Sequence, residues 1–428
     1  MTLKDHCNLI LSFTRVLYVN GQSTEQVLAA ADGLAQTFGA QDELMLRWGE
    51  MHLELRNRGE SAVSQLAANP AGIDMQRVAK AMQAIDDIRG GRLNSAAALS
   101  AIGSIAKNPP APTWLFALAA AAGAGALAVI FGVSHLVATT LIFLSAGIGA
   151  IARRAVSLWT TNLFAQPLCA ALIAGVVGGF AVRYNLSSSL RLVAVCPCMV
   201  LVPGPHLLNS ALDLAGGRIH LGAARLLYAL LIVVAISIGL LLGLEILGVS
   251  LPLEPTGREV PLWQDVIAAG VAVFAYSVFF STPLKMLPWP VAVGMLAHAA
   301  RWVTLSRLGM GVATGALVAC ALVGLILVPV ARRWHMPFAA IGFASVVSMM
   351  PGAYLFRMAS GLVQLMEAPR MAVALLPAAV SDGMIGITII LAMSLGLIVP
   401  KMVIDRILRQ PPPAGFSEAK ENEGLRQR

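Results

Sequence analysis

The chain has 428 residues, of which 57% are hydrophobic and only 12% are charged, and its mean hydropathy is +0.77. This composition excludes an ordinary soluble protein and predicts a membrane protein. The formal charge of +8 suits nucleic acid, but no basic cluster is interleaved with aromatic residues, so we expect no nucleic-acid partner. The pairs Arg153-Arg154 and Arg332-Arg333 lie at the ends of apolar runs, where basic residues fix topology.

Residues 1–108 have the charge density of a soluble unit and predict a small α+β domain. Ser23 to Gln26 has the form of a capping box, and apolar residues then recur at helical spacing from Val27 to Phe38. The segments ELMLRW and HLELR alternate apolar and polar residues, which is typical of two strands joined near Gly49. Two further helices are predicted in IDMQRVAKAMQAIDDI and NSAAALSAIGSI, and KNPPAP is the expected hinge into the membrane.

No enzymatic or metal site is predicted. His52 and Glu54 match half of the zinc deaminase signature, but the P-C-x-x-C half is missing, so the two side chains are interpreted as a solvated strand face. The glycine-rich segment GMGVATG follows no strand and is not followed by Lys-Ser, so it does not predict a phosphate site. The cysteines lack paired C-x-x-C spacing and are interpreted as small buried hydrophobic residues; they are Cys7, Cys169, Cys196, Cys198 and Cys320. We therefore expect a protein that is not an enzyme and has no cofactor or metal.

Charge-free runs after residue 108 predict ten membrane spans, because each can supply the apolar length that a bilayer core requires. The first two spans lie between Lys107 and Arg153 and are divided by FGVSH; the others are 155–182, 192–212, 226–244, 266–284, 286–300, 308–331, 334–356 and 383–400. The sequence begins without a secretory apolar segment, so residues 1–108 are expected to be cytoplasmic. Because ten is an even number of spans, the chain after the last span is expected on the same side of the membrane as residues 1–108. The tail, 406–428, is polar and rich in proline at its start, and is predicted to be disordered and cytoplasmic.

A repeated Pro-Gly break divides the membrane region into two modules. Pro203-Gly204 and Pro351-Gly352 interrupt apolar runs and lie 148 residues apart. The modules, 109–250 and 262–405, are each predicted to contain five spans. An odd number of spans makes the second module enter from the opposite side, so the repeats are expected to be inverted. The expected architecture is thus a polytopic α-helical membrane protein with ten helices in two inverted five-helix repeats.

These breaks predict a binding site near the bilayer midplane. Backbone groups freed at a break cost several kcal/mol in hydrocarbon unless protein or a water-filled cavity satisfies them, and the N–H groups at a half-helix start favour a carboxylate. The alternative is that each proline only kinks a packed helix.

Three segments resemble the threonine/serine exporter family: VLYVNGQSTEQVLAAADGLAQTFGA, VPGPHLLNSALDLAGGRIHLGAARLLYALLIV and MPGAYLFRMASGL. The resemblance implies a cytoplasmic domain followed by two five-span modules in the bacterial inner membrane. It also implies export of small hydroxy amino acids driven by the proton motive force, or of a dicarboxylate such as succinate in relatives built from two subunits. The site residues that it implies are Pro203, Gly204, Asn209, Asp213 and Gly217 in the first module, and Pro351, Gly352 and Arg357 in the second.

Polar residues inside spans are further candidates, because they are costly there. Asp382 is the only charged residue between Arg370 and Lys401 and lies well inside the last apolar segment; it is either a proton carrier or the partner of an arginine such as Arg357. Asp213 is either a second coupling and binding residue or a helix cap or partner of Arg218 at the cytoplasmic end. His206 lies next to the first break, where it can bind substrate or hydrogen-bond a loose carbonyl.

Other polar and glycine residues of the spans are given packing roles. His298 and Glu245 are interpreted as structural. Gly175 with Gly179, and Gly239 with Gly243, form G-x-x-x-G pairs that predict close helix packing.

The sequence therefore predicts a secondary exporter whose partners are a small-molecule substrate, protons and the bilayer, with a homo-oligomer possible. A zwitterion needs one carboxylate site and an acceptor for its ammonium, whereas a dicarboxylate needs a second cationic site, for which Arg357 is the candidate. The alternative of another class is a membrane-anchored sensor or enzyme that acts through residues 1–108.

Overall fold

The structure is a computed structural model that describes residues 2–133, 135–186, 190–250, 260–334, 336, 338–367 and 372–408. The tail that the sequence predicts to be disordered lies outside the described residues from position 409 onward.

The amino-terminal unit combines four helices with a three-stranded sheet. Its elements are α1 Leu3–Val19, α2 Thr24–Thr37, β1 Gln41–Arg47, β2 Gly49–Asn57, β3 Glu60–Ala68, α3 Met75–Arg89 and α4 Ser95–Ala106. The sheet is antiparallel in the order β1-β2-β3. The side chains of Met51, Leu53 and Leu55 are buried and alternate along β2 with neighbours that are only partly buried or exposed, and α1 packs against β2 and β3. The amphipathic pattern of β2 thus builds the core of this unit.

The sequence predicted five of these seven elements at roughly the right places. The two strands joined near Gly49 are confirmed, and Gly49 adopts a positive φ of 94°, a conformation that glycine adopts without strain. Helix α1 and strand β3 were missed. Ser23 is the N-cap of α2, but its side chain makes no capping hydrogen bond; the capping box lies instead at Thr2 and Asp5.

Twelve helices follow in the described part of the chain. They are α5 Thr113–Ile130, α6 Leu136–Trp159, α7 Ala165–Arg183, α8 Leu190–Met199, α9 Gly204–Ala215, α10 Ile219–Glu245, α11 Leu262–Phe279, α12 Pro288–Ser306, α13 Val312–Arg333, α14 Phe338–Val346, α15 Gly352–Glu367 and α16 Ala372–Leu408. A 3-10 turn, Val347–Met349, follows α14. Two pairs, α8 with α9 and α14 with α15, bend by 55° at the Pro-Gly positions.

The described residues contain seven helices long and apolar enough to cross a membrane, or up to nine spans if each bent pair counts as one. The protein is therefore a polytopic helical membrane protein. The sequence predicted ten spans. The tenth corresponds to α12, which contains His298 and Arg301 and does not meet the criterion of length and apolarity. Arg301 lies within α12, Arg225 within α10 and Arg357 within α15.

Corresponding helices of the two halves pack in the same pairs. Helix α7 packs along α10 as α13 packs along α16, and α9 packs on α10 as α15 packs on α16, while α5 packs against α11 across the two halves.

Glycines permit the close contact between α7 and α10. A Cβ atom added to Gly239 would lie 2.2 Å from the carbonyl oxygen of Leu168, and one added to Gly243 would lie 2.3 Å from that of Leu172. Gly175 is equally close to the carbonyl of Leu240. The predicted packing role of these three glycines is confirmed, since any side chain there would separate the helices.

Candidate functional site

The first helix break is held against the second half of the chain. Helix α8 ends at Met199, and Pro203 is the N-cap of α9. Phe343, on α14, covers the glycine that follows: a Cβ added to Gly204 would lie 1.6 Å from Cε2 of the ring. Glycine is needed at this position because the aromatic ring occupies the space of a side chain.

The second break has the reciprocal contact. Pro351 and Gly352 follow the 3-10 turn, and a Cβ added to Gly352 would lie 3.0 Å from Cγ of Met199, on α8. Each glycine therefore packs against the first half-helix of the other bent pair. The structure brings the predicted Pro-Gly residues of both halves to one interface, where Gly204 and Met350 line a small cleft of about 20 Å³.

The two breaks differ in how their backbone N–H groups are hydrogen-bonded. At the first break, Gly204 N–H bonds to Val202 C=O, and the N–H groups of His206 and Leu207 both bond to Pro203 C=O. Pro205 has no N–H to donate. The expectation of free N–H donors at this break is therefore wrong, because Pro205 has no N–H group and the other N–H groups bond within local turns. In α15 the first intrahelical bond runs from Leu355 N–H to Pro351 C=O, so three N–H groups precede it at the second break.

A buried ion pair lies beyond the second break. Arg357 Nη2, on α15, is 2.7 Å from Asp382 Oδ1, on α16, and the side chains are 12% and 3% exposed. Gly383 allows the helices to approach, since a Cβ there would lie 2.7 Å from Sδ of Met358. Arg357 is five residues after Gly352, or about 7.5 Å along a helix axis. The sequence named this pairing as one of two roles for Asp382; whether Asp382 also carries a proton stays a prediction.

The polar candidates of the first half face the amino-terminal unit instead of the second break. Asn209 Nδ2 donates to Gly21 C=O at 3.1 Å. Asp213 binds Nε of Arg218 at 2.9 Å and lies 3.3 Å from Nε of Arg225. The partner role that the sequence offered for Asp213 is the one observed.

Two further candidates of the first half have local structural surroundings. The ring of His206 contacts Tyr228 edge-on, 5.1 Å between centroids, and the backbone of Ala71 lies against the same ring. Gly217 follows α9 with a φ of +76°, the left-handed conformation that ends helices.

The amino-terminal unit docks on the first half through a fully buried arginine. Arg225 is 1% exposed; its Nη2 lies 3.4 Å from Thr24 Oγ1, and its guanidinium lies 5.3 Å from the Tyr18 ring centre. Burial raises the pKa of Tyr18 to about 12, so the phenol keeps its proton and donates it to Arg47 C=O at 3.0 Å.

The start of α2 also reaches the second half. Glu25 Oε2 is 2.7 Å from Lys401 Nζ, Lys401 is 2.5 Å from Asp405 Oδ2, and Asp405 pairs with Arg332. A cavity of about 650 Å³ lies between α2 and the ends of both halves, and its lining includes these four residues and Arg218. The amino-terminal unit thus contacts both halves of the chain around this cavity.

We expect Arg225→Met to loosen this docking. Asp213 would lose one of its two arginines while it stays buried, and breaking a buried pair costs about 3–5 kcal/mol. The variant should be cut faster in the linker at 107–112 during limited proteolysis. Arg183→Met, which removes an exposed arginine from the last turn of α7, is the control. Equal cleavage rates would show that Arg218 alone holds Asp213.

A hydrogen-bonded chain that sequence reasoning missed lies next to the second break. His298 Nδ1 is 2.9 Å from Asp265 Oδ2, on α11, and His298 Nε2 is 2.5 Å from Ser348 Oγ, in the 3-10 turn. The residue types match those of a hydrolytic triad, but all three side chains are buried between helices. Asp265 and Ser348 lie 33 and 50 residues from His298. No local motif joins them, and the only signal was an isolated histidine in an apolar run.

The other chemically reactive residues form no metal site in the described part of the chain, where no three His, Cys, Asp or Glu residues are placed to hold an ion. All five cysteines are free; Cys169 is half-buried and the others are buried. His52 lies 3.3 Å from Glu50, and Glu54 binds Arg56.

Comparisons with known proteins agree on one family. A family model described as "Putative threonine/serine exporter" matches residues 8–247, and one described as "Threonine/Serine exporter, ThrE" matches residues 265–403. The chain is also similar to a "Probable threonine/serine exporter" of Mycobacterium tuberculosis (strain ATCC 25618 / H37Rv), with 25% identity over 403 residues, which cover 86% of this chain and 74% of that protein. No solved structure matches the chain.

Proposed function

The chain belongs to the threonine/serine exporter family, as the sequence resemblance predicted, and from this premise we propose that it exports threonine and serine by proton-coupled secondary transport. The membrane is the bacterial cytoplasmic membrane, with both termini in the cytoplasm. Within the structure, the observation that carries this proposal is the buried Arg357–Asp382 pair beside two interlocked helix breaks.

The proposed architecture is two inverted five-helix modules, 109–250 and 262–405, that rock around the breaks. Support comes from the equivalent packing of α7 with α10 and of α13 with α16. An odd number of helices in each module turns the second module upside down relative to the first. The cleft between the breaks has a volume of only about 20 Å³, so binding of an amino acid requires the bent pairs to separate.

The Arg357–Asp382 pair suits a zwitterion. When an amino acid separates the pair, its carboxylate binds the guanidinium of Arg357 and its ammonium group binds the carboxylate of Asp382. Both new contacts are charge-assisted hydrogen bonds, which are about twice as strong as neutral ones. A dicarboxylate such as succinate would place its second carboxylate against Asp382, and this repulsion favours amino acids as substrates.

Coupling to protons follows from the same pair. Protonation of Asp382 removes the partner of the substrate ammonium, so a proton and an amino acid compete for one carboxylate. Competition for a shared site produces antiport, in which inward proton flow drives outward export. We place coupling at Asp382 and assign Asp213 a structural role, since two arginines hold its carboxylate.

We assign residues 1–108 a role in transport, against the alternative of a separate sensor or enzyme. The unit contacts the first half through Asn209 and Arg225 and the second half through Lys401. A unit bonded to both halves restrains their relative motion, so it controls how far the two halves open on the cytoplasmic side.

The test is uptake of labelled threonine, serine and succinate into inverted membrane vesicles, with and without a proton gradient, from cells that do and do not express the protein. We expect accumulation of threonine or serine that depends on expression and on the gradient. Accumulation of succinate alone would replace the amino-acid substrate with a dicarboxylate. No accumulation of any of the three would reject the transport proposal and favour an activity in residues 1–108.

A further inference from the structure

We propose that His298 is a second proton-binding group, distinct from Asp382, and that its protonation state sets the conformation of the second helix break through Ser348. This inference rests on the proposed proton-coupled export. Its basis is the chain from Asp265 in the first turn of α11, through His298 on α12, to Ser348 in the 3-10 turn that forms the break.

The packing of α12 presses His298 against this turn. Gly294 lies one helical turn before His298, and a Cβ added to it would lie 3.1 Å from Ser345 C=O and 2.6 Å from Cγ2 of Val273. The absence of a side chain there lets α12 approach both α14 and α11. Both ring nitrogens of His298 are consequently engaged, by a carboxylate on one side and a hydroxyl on the other.

The hydrogen bonds fix what one added proton does. In the neutral ring, Nδ1–H donates to Asp265 and Nε2 accepts the Ser348 hydroxyl proton, an assignment that follows because a carboxylate can only accept. A hydronium ion that reaches the break transfers its proton to the lone pair of Nε2 and leaves a water molecule, with no oxidation or reduction. Nε2–H then donates to Ser348 Oγ, so the hydroxyl must turn and donate elsewhere. Proton occupancy is thereby linked to the turn that makes the break.

The ring has one charged group of each sign near it. Asp265 bonds to Nδ1, and Arg301 lies one turn further along α12. Arg301 itself faces Asp265, Tyr354 and Cys320. Asp265 thus faces both an arginine and a histidine, so a proton added to His298 changes the charge balance of this group next to the turn.

The experiment compares His298→Gln with wild-type protein in proteoliposomes, using two assays on each. The first assay is threonine accumulation driven by a pH gradient, and the second is exchange of labelled for unlabelled threonine without a gradient. Glutamine can hydrogen-bond but cannot hold the proton. We expect gradient-driven accumulation to fall at least tenfold, while exchange stays within about twofold of wild type, a split that ordinary destabilisation does not give. His220→Gln, which alters an exposed histidine at the start of α10, is the matched control.

A second variant and a second readout keep the inference testable if His298→Gln does not fold. Ser348→Ala leaves the proton site but removes its link to the break, so it should also lose accumulation and keep exchange. Proton release on addition of threonine to the purified protein, followed with a pH indicator, should fall by one proton in His298→Gln. Wild-type accumulation in both variants, or equal loss of accumulation and exchange, would overturn the inference while the exporter function stands. A wild-type protein that neither accumulates nor exchanges threonine or serine would overturn the proposed function, and this inference with it.

Discussion

We expect Asp382→Asn to abolish gradient-driven accumulation of threonine in inverted vesicles. The asparagine amide has nearly the shape of the carboxylate and can still accept a hydrogen bond from Arg357, so the protein is expected to fold. It cannot bind a proton, and it offers the substrate ammonium no charge. A hydrogen bond to a charged group contributes about 1.5–3 kcal/mol, so we also expect threonine to bind roughly 10- to 100-fold more weakly.

The same variant distinguishes the two substrate classes. If the charge of Asp382 excludes dicarboxylates, we expect succinate to inhibit the residual binding of threonine in this variant and to leave threonine binding to wild-type protein unchanged. Glu245→Gln, at the exposed end of α10, changes an acid outside the site and should leave both properties unchanged. Asp382→Asn protein that accumulates threonine at the wild-type rate would refute the coupling role and reduce the Arg357–Asp382 pair to a structural tie.

The residues around the second break show what the sequence could reveal. A Pro-Gly pair inside an apolar run is a local signal, and its repetition after 148 residues predicted two related bends that the structure contains. Asp382 was visible as a costly charge, Arg357 was named by the family resemblance, and pairing was one of the two roles named for Asp382. The chain of His298 with Asp265 and Ser348 was not predicted, because apolar periodicity identifies a helix without identifying its neighbours.

In the first half, the sequence placed in the binding site residues that the structure places elsewhere. Asn209 and Asp213 follow the first break closely, so the sequence placed them in the binding site. In the structure, the segment of α9 that carries them packs against the amino-terminal unit, and the partner of Asn209 is 188 residues away. Such a contact is decided by the docking of two units, and no spacing within either unit records it. The strand β3 was missed for a different reason, since its alanines and serines give weak alternation.

Gly204→Ala should damage the protein far more than Gly352→Ala, although both glycines occupy equivalent positions in the two breaks. The new methyl group at Gly204 would lie 1.6 and 1.7 Å from two carbons of the Phe343 ring, whereas carbon atoms in contact are ~3.5–4.0 Å apart. Phe343 is buried, so the ring can yield only if α14 and α9 separate. Overpacking of this kind costs about 1–3 kcal/mol, and we expect a lower melting temperature together with slower transport.

The methyl group at Gly352 would instead meet Cγ of Met199 at 3.0 Å, and a flexible methionine side chain adapts to such a contact. If the ring is the cause of the damage, Phe343→Ala combined with Gly204→Ala should be less destabilised than the sum of the single variants, a coupling that a double-mutant cycle measures. Additive effects would show that the ring does not press on Gly204 in the working transporter. Coupling would show that closure of the two breaks depends on contact between the aromatic ring of Phe343 in one module and Gly204 in the other.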